Sequence, residues 1–193
     1  NAIRFDNSKI VKNGEGAYSI DQESVDLNAY LYAEKIYLAK LATVLQKGKD
    51  AKKLTTEAEV LKNQIQSQFY DVNDGWFYDT TLDGKTFIKV EGSEGWTALW
   101  ANAATQEQAE AIKNNMMSPK KFYTKVPFQT MSADHEKFNP LKGYWRGPNW
   151  LDQAYFGVKS LRNYGFRKDA DKATIQILKG AEGVLGKGKS IRE

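Results

Sequence analysis

Seven consecutive residues, Tyr144-Trp145-Arg146-Gly147-Pro148-Asn149-Trp150, bring three large aromatic rings, a guanidinium and an amide into one short turn. A sugar ring presents C–H patches that lie on aromatic faces and hydroxyls that suit planar polar forks, so this set of side chains fits carbohydrate. Proline fixes φ near the helical value and lacks the N–H that a first helical turn leaves unpaired, which places Pro148 as a first helical residue. The competing reading is an ordinary helix start whose aromatics fill core.

Other chemistries are poorly supplied. The single histidine, His135, lies between Asp134 and Glu136, so a Ser-His-Asp triad or a histidine-rich metal site is hard to build, and an exposed loop position is expected. Cysteine is absent, which excludes disulfides, thiolate metal sites and a cysteine nucleophile. No phosphate-cradling glycine loop or dinucleotide fingerprint occurs, which argues against phosphoryl transfer and nicotinamide chemistry. Asp71-Val72-Asn73-Asp74-Gly75 resembles the start of a calcium loop but lacks the later glutamate, so it reads as an Asx-rich turn. Net charge is +4, yet the lysines are scattered among acids, and the Lys187-Gly188-Lys189 cluster with Arg192 is short and without aromatics. Nucleic acid is therefore not an expected partner. No apolar run is long enough to span a bilayer, so neither is a membrane. Carboxylates remain, and a positioned pair of them is what glycosidic hydrolysis needs.

The elements that must carry these groups are mostly helical. Residues 25–46 place Leu27, Leu31, Leu38, Leu41 and Leu45 on one stripe, widened by Tyr30, Tyr37 and Val44, with Ala29, Ala33, Ala39 and Ala42 filling much of the remaining arc. Such a helix is expected to be buried on most sides and to stop at Gly48. The next, about 50–68, has a single line of Leu54, Ala58, Leu61 and Ile65. The contrast returns in 96–104 against the helix after Thr105-Gln106-Glu107-Gln108, a capping box followed by Ala109, Ile112 and Met116. It returns again in 149–164 (Leu151, Tyr155, Phe156, Val158, Leu161) against about 169–185 (Ala173, Ile177, Leu178, Ala181). Alternating thick and thin apolar stripes are what two concentric helical rings require, because the inner ring has neighbours on more sides. A plain helical bundle gives a similar, less regular alternation. A β-hairpin is expected where Trp76-Phe77-Tyr78 and Thr86-Phe87-Ile88 flank Asp83-Gly84. The long segment 118–143 is expected to fold over the mouth of the ring.

Four motifs in order carry a resemblance that spans nearly the whole chain. They are Val25-Asp26-Leu27-Asn28-Ala29, Gly75-Trp76-Phe77-Tyr78-Asp79, Glu94-Gly95-Trp96-Thr97-Ala98-Leu99-Trp100 and the 144–150 turn. Together they resemble the C-terminal half of the catalytic domain of glycoside hydrolase family 63, particularly its bacterial periplasmic glucosidases, and of the trehalase-like enzymes related to it. The resemblance implies an all-α fold, half of an (α/α)6 toroid made of three inner/outer helix pairs, with a small β-hairpin insertion. Residues 1–193 would then form one partial catalytic domain with no second domain.

What the resemblance implies for function is an inverting α-glucosidase acting on short oligosaccharides in the periplasm. Catalysis would need no cofactor, and a structural calcium ion elsewhere in the parent protein is compatible with it. The family's general base maps to Glu193, for which a frayed terminal glutamate is the preferred reading in the isolated chain. Its general acid maps to a motif that does not occur in this sequence, so the isolated chain is expected to be inactive. Substrate contacts map to Trp145, Arg146, Asn149 and Trp150 in the turn, to Asp26 and Asn28 at one inner helix start, to Glu94 and Trp96 at another, and to Gln129. Helix capping, worth about 1 kcal/mol, is the rival role for Asp26 and Glu94; core packing is the rival for Trp96 and the preferred role for Trp100. The expected partners are an oligosaccharide substrate and the remaining half of the catalytic domain. The alternative is a non-catalytic helical scaffold or interaction module that keeps the fold.

Overall fold

The computed structural model describes residues 2–186. A 3-10 turn at Ile3–Phe5 leads to a hairpin of β1 (Ile10–Gly14) and β2 (Ala17–Ile20), then the short strand β3 (Gln22–Glu23). Helices α1 (Val25–Val44) and α2 (Gly48–Gln68) follow. After them come strands β4 (Tyr70–Asp71), β5 (Trp76–Phe77), β6 (Asp79–Thr81) and β7 (Phe87–Ile88). A 3-10 turn at Ser93–Trp96 runs into α3 (Thr97–Trp100), followed by α4 (Gln106–Met116), α5 (Leu151–Asn163) and α6 (Arg167–Gly180).

The helices are arranged as an arc. Packing runs from α1 to α3 to α5 on one layer, while α2 backs α1 and α6 backs α5. The outer helices bury most of the thin stripes expected of them, Ala58, Leu61 and Ile65 on α2 and Ala109, Ile112 and Met116 on α4, whereas on α6 Ala173 is buried and Leu178 is exposed. Thr105 and Gln108 form the reciprocal capping box at the start of α4.

The middle inner element is the most enclosed. Every residue from Ser93 to Leu99 is buried. A four-residue helix cannot satisfy its own ends, so its neighbours do so. Asn163 of α5 donates to the Trp100 carbonyl (2.8 Å), Gln66 of α2 to that of Ala103 (2.7 Å) and Tyr164 to that of Ala104 (2.9 Å). The buried Ser160 hydroxyl donates to the Trp96 carbonyl (2.9 Å).

Several expectations are corrected. The leucine stripe of α1 is exposed, with Leu27 at 67% and Leu45 at 65%, and the buried face is the one bearing Val25, Ala29, Tyr32, Ala33, Ala39 and Ala42. The alanine face lets α2 and α3 approach closely, and among the described residues nothing covers the leucines. On α5, Leu151 and Tyr155 are likewise exposed, and Ala154, Gly157, Ser160 and Leu161 pack inward. Gly48 begins α2 and does not end α1. The stop is made by Gln46 at φ 56°, with the Lys47 N–H closing onto the Ala42 carbonyl (2.8 Å). The middle inner stretch is α-helical only over Thr97–Trp100, ended by Asn102 at φ 61°, and α6 ends at Gly180, where Ala181 turns extended.

The hairpin forms with a different partner set. β6 pairs with β7 across the turn and also with β3, whereas Trp76-Phe77 pairs back onto Tyr70-Asp71. Among the described residues the small sheets therefore number three, and β1–β2 was not expected from the sequence.

The core centres on a ring cluster. Trp76 stacks on Phe122 (5.1 Å, 6° between planes), and Trp96 meets both edge-on. Gly95 lets the backbone lie against that indole, since a Cβ there would stand 2.3 Å from Trp76. Gly95→Ala is expected to cost about 3 kcal/mol, because backbone and ring are both fixed in packed core. Thr105→Ala, which removes one cap, should cost only about 1 kcal/mol. Urea denaturation of both variants tests the difference.

Candidate active site

Three inner elements begin at one end of the arc, each with an acid in its first turn: Asp26 on α1, Glu94 on the 3-10 turn before α3, and Asp152 on α5. Helix N-termini carry partial positive charge, so acids there are favoured whatever their function. Asp26 and Asp152 both act on Tyr30, whose hydroxyl is pushed up by burial and then by these two charges.

Glu94 and Asp26 belong to a buried cluster completed by two residues from elsewhere in the chain. Arg4 donates to Asp26 Oδ2 (2.8 Å) and Asp79 Oδ2 (2.9 Å), with its own side chain only 11% exposed. Asp79, on β6, uses its other oxygen to accept the Val25 N–H (2.9 Å). The cap of α1 is therefore supplied from β6, and Ser24 at the N-cap makes no side-chain cap. Burial pushes Asp79 up despite the Arg4 charge. Burial also pushes Glu94 up to about 7; the nearby Arg4 opposes this while Asp79 and Asp26 add to it. Burial works against the Arg4 charge, but Glu94, Asp26 and Asp79 together hold it firmly protonated.

The aromatic turn is tied to the same end through the long segment before it. Gly92 bridges Met131, and the adjacent Thr130 donates its N–H (3.2 Å) and hydroxyl (3.1 Å) to the Pro148 carbonyl. The Gly147 N–H returns a bond to the Thr130 hydroxyl (3.2 Å). Gly147 sits at φ 123° with Phe138 where a Cβ would lie, so both conformation and space require glycine. Tyr144 and Trp145 each lie against Trp150, at 5.3 and 5.5 Å between centroids, and the Trp150 indole donates to the Tyr144 carbonyl (3.1 Å). Arg146 is half-buried, and its Nε is enclosed without a hydrogen-bond partner.

The sequence-derived residues divide by environment. Trp145, Arg146 and Trp150 are half-buried and come together in the turn, with Asp26 half-buried at the start of α1. Asn149 donates to the Pro127 carbonyl (2.6 Å), leaving its Oδ1 enclosed and unpaired. Asn28 donates to the Ser24 carbonyl (2.9 Å), in the manner of a helix-start bond. Trp96 is fully buried in the ring cluster. Gln129 is buried with its amide engaged, donating to the Lys121 carbonyl (2.6 Å) and accepting from Thr124 (3.2 Å). Glu193 lies outside the described residues. Trp100, expected in the core, is half-buried between Tyr30 and Phe156.

Pro148 does not open the helix: α5 starts at Leu151 with Trp150 as its cap, because the turn is held by the Thr130 bonds. His135 is half-buried, its Nδ1 accepting the Lys137 N–H (3.1 Å). The segment 118–143 is built into the core through Phe122, Phe128 and Met131 and is more than a cover. The 71–75 turn is an Asx turn as expected, the Asn73 N–H donating to Asp71 (2.8 Å). Its cation is the Lys89 ammonium, 2.7 Å from Asp71 and 2.9 Å from Asp74. Among the described residues no group of three or more His, Asp or Glu is disposed to hold a metal ion. Sequence reasoning missed Arg4, Asp79 and Asp152. The only available signal was that Asp79 ends one motif and Asp152 follows another.

An arc of paired helices with acids gathered at the inner N-termini, beside an aromatic turn, is the frame of a toroidal glycoside hydrolase. The sequence profile of the mannosylglycerate hydrolase MGH1-like glycoside hydrolase domain matches residues 6–187, and the chain belongs to that family. A mannosylglycerate hydrolase of Rubrobacter radiotolerans is 26% identical over 160 residues, covering 81% of this chain and 36% of that protein. The GH63 mannosylglycerate hydrolase of Thermus thermophilus in complex with glucose superposes with a TM-score of 0.70 at 22% identity, over 79% of this chain and 36% of its own. Neutral trehalase Nth1 of Saccharomyces cerevisiae gives 0.71 at 21% identity, over 82% and 30%. These neighbours establish the fold as a partial α/α toroid with β insertions. The chain spans about a third of the length of each of these proteins.

The buried cluster has a pH signature. A carboxyl whose folded pKa is raised stabilises the fold below its ordinary value of 4.5 and loses that contribution as pH climbs through about 7. Asp79 acts in the same direction. Glu94→Gln should therefore gain on the wild type between pH 5 and pH 8, by on the order of 3 kcal/mol. Thermal melts at the two pH values measure this.

Proposed function

We propose that the full-length protein carrying this chain hydrolyses α-glucosidic bonds in short saccharides, by single displacement with inversion. Family membership supports the glycosidase class, and the observation that carries the reading is the gathering of Asp26 and Glu94 at one end of the arc, with the Trp145-Arg146-Trp150 turn stitched to the Glu94 segment. In this reading the turn holds the sugar by ring stacking and by the Arg146 fork. Asp26 receives hydroxyl hydrogen bonds. Asn28, Asn149, Glu94, Trp96 and Gln129 complete or support the pocket. Glu193 serves as the base that activates water, roughly 6.5–9.5 Å from an acid supplied outside this sequence.

The glucosyl preference draws on a neighbour described in complex with glucose. A second reading, mannosylglycerate as substrate, is favoured by the description of the matching family. The exposed stripe of Leu27, Leu31, Leu38, Leu41 and Leu45 is covered, in this proposal, by the remainder of the catalytic domain. Catalysis uses no cofactor, a structural calcium ion elsewhere in the protein is compatible with it, and the setting is periplasmic. No described helix is long and apolar enough to cross a membrane.

Assay of the full-length protein against glucose disaccharides and mannosylglycerate separates the two substrates. Proton NMR should find the inverted anomer first. Glu193→Gln should lower kcat at least ~1000-fold with little change in KM, and residues 1–193 alone should release no hexose. An unaffected Glu193→Gln enzyme removes that residue from the role of base.

A further inference from the structure

The segment ahead of the first helix contributes a charge that none of the four sequence motifs contains. Arg4 reaches from the Ile3–Phe5 turn into the buried end of the arc, where it meets Asp26 of α1 and Asp79 of β6. Asp79 in turn caps α1 through the Val25 N–H. The Arg4 residue is itself anchored: the Gln22 amide donates to its carbonyl (3.0 Å), and its guanidinium lies over the Phe5 ring (4.5 Å). One cation thus serves carboxylates from two elements, beside the Glu94 carboxyl of a third. Asp152 and the Tyr30 hydroxyl are the further titratable groups facing this end. A buried carboxylate that loses its cation is expelled or protonated, and either change moves the helix start it caps.

We propose that Arg4 is a positioning residue for the saccharide-binding end, fixing the start of α1 and with it the placement of Asp26 relative to Glu94. This rests on the glycosidase reading above. Arg4 touches no reacting atom in this role; it acts through Asp79 and Asp26. The forked arrangement, with two nitrogens on two different carboxylates, is one that a lysine ammonium reproduces only in part.

The test uses the full-length protein and four variants: Arg4→Gln, Arg4→Lys, Asp79→Asn and the Arg4→Gln/Asp79→Asn pair. Arg4→Gln is expected to raise KM and lower kcat, reducing kcat/KM at least ~10-fold, and to move the inflection of the pH–kcat/KM profile upward as the carboxyls lose their cation. Arg4→Lys should recover part of the loss. The double variant should regain part of the melting temperature lost in Arg4→Gln, since the more deeply buried of the two carboxylates bonded to Arg4 is then neutral, but not kcat/KM. Wild-type kinetics and pH profile in Arg4→Gln would overturn the proposal. So would full recovery of both melting temperature and kcat/KM in the double variant, which would leave Arg4 a structural role alone. If the wild type hydrolyses no saccharide, the glycosidase reading fails by itself. The melting temperatures still decide the linkage: additive losses from Arg4→Gln and Asp79→Asn would overturn it.

Discussion

One guanidinium shared between the buried Asp79 and the half-buried Asp26, with the buried Glu94 alongside, is the constraint on which the geometry of the site depends. Water is largely excluded around Arg4, Asp79 and Glu94, so each charge must find its partner inside the protein. Two carboxylates bonded to one cation are satisfied only while the Ile3–Phe5 turn, β6 and the start of α1 keep their relative positions. Raised affinity of Glu94 and Asp79 for protons is the consequence of burying these two acids, with Asp26 close by, beside a single positive charge. The polar end is therefore rigid because it is costly to rearrange.

Aromatic packing supplies the complementary constraint. Trp76 from the small β4–β5 sheet, Trp96 from the inner turn, and Phe122 and Phe128 from the long segment form one interlocked group. That group lets a very short inner element sit at the centre of the arc, because its neighbours provide both apolar contact and hydrogen bonds to its end. The long segment is thereby pinned at its middle, which allows Thr130 to present the Gly147-Pro148 turn beside the Glu94 segment. Irregular backbone is tolerated here because rings and amide groups anchor it on both sides.

Helical periodicity made the long outer helices and the Thr105 capping box legible, since both are local signals. The same periodicity misjudged the face of α1 that is buried. Leucine stripes mark where a helix meets something apolar, but alanine marks where two helices come closest, and in this chain the alanine face is the covered one. Pro148 misled for a related reason: a local propensity for helix position one was overridden by the Thr130 hydrogen bonds. At the site, the motif residues were legible as a group of types, whereas their environments were not. Gln129 and Trp96 are buried and engaged within the protein. Arg4 and Asp79 join the cluster through contacts 22 and 75 positions apart in sequence, which no spacing pattern announces.

Exclusion of water from the buried cluster shows most directly in the protonation of Glu94. Carbon-13 NMR of glutamate-labelled protein, with Glu94→Gln used to assign the signal, reports the titration of that carboxyl in the folded chain. A Glu94 resonance that titrates near pH 7 is the predicted result. A resonance titrating at the ordinary glutamate value of 4.5 would mean that the carboxyl is solvated, and the shared, water-excluded cluster would not exist as described.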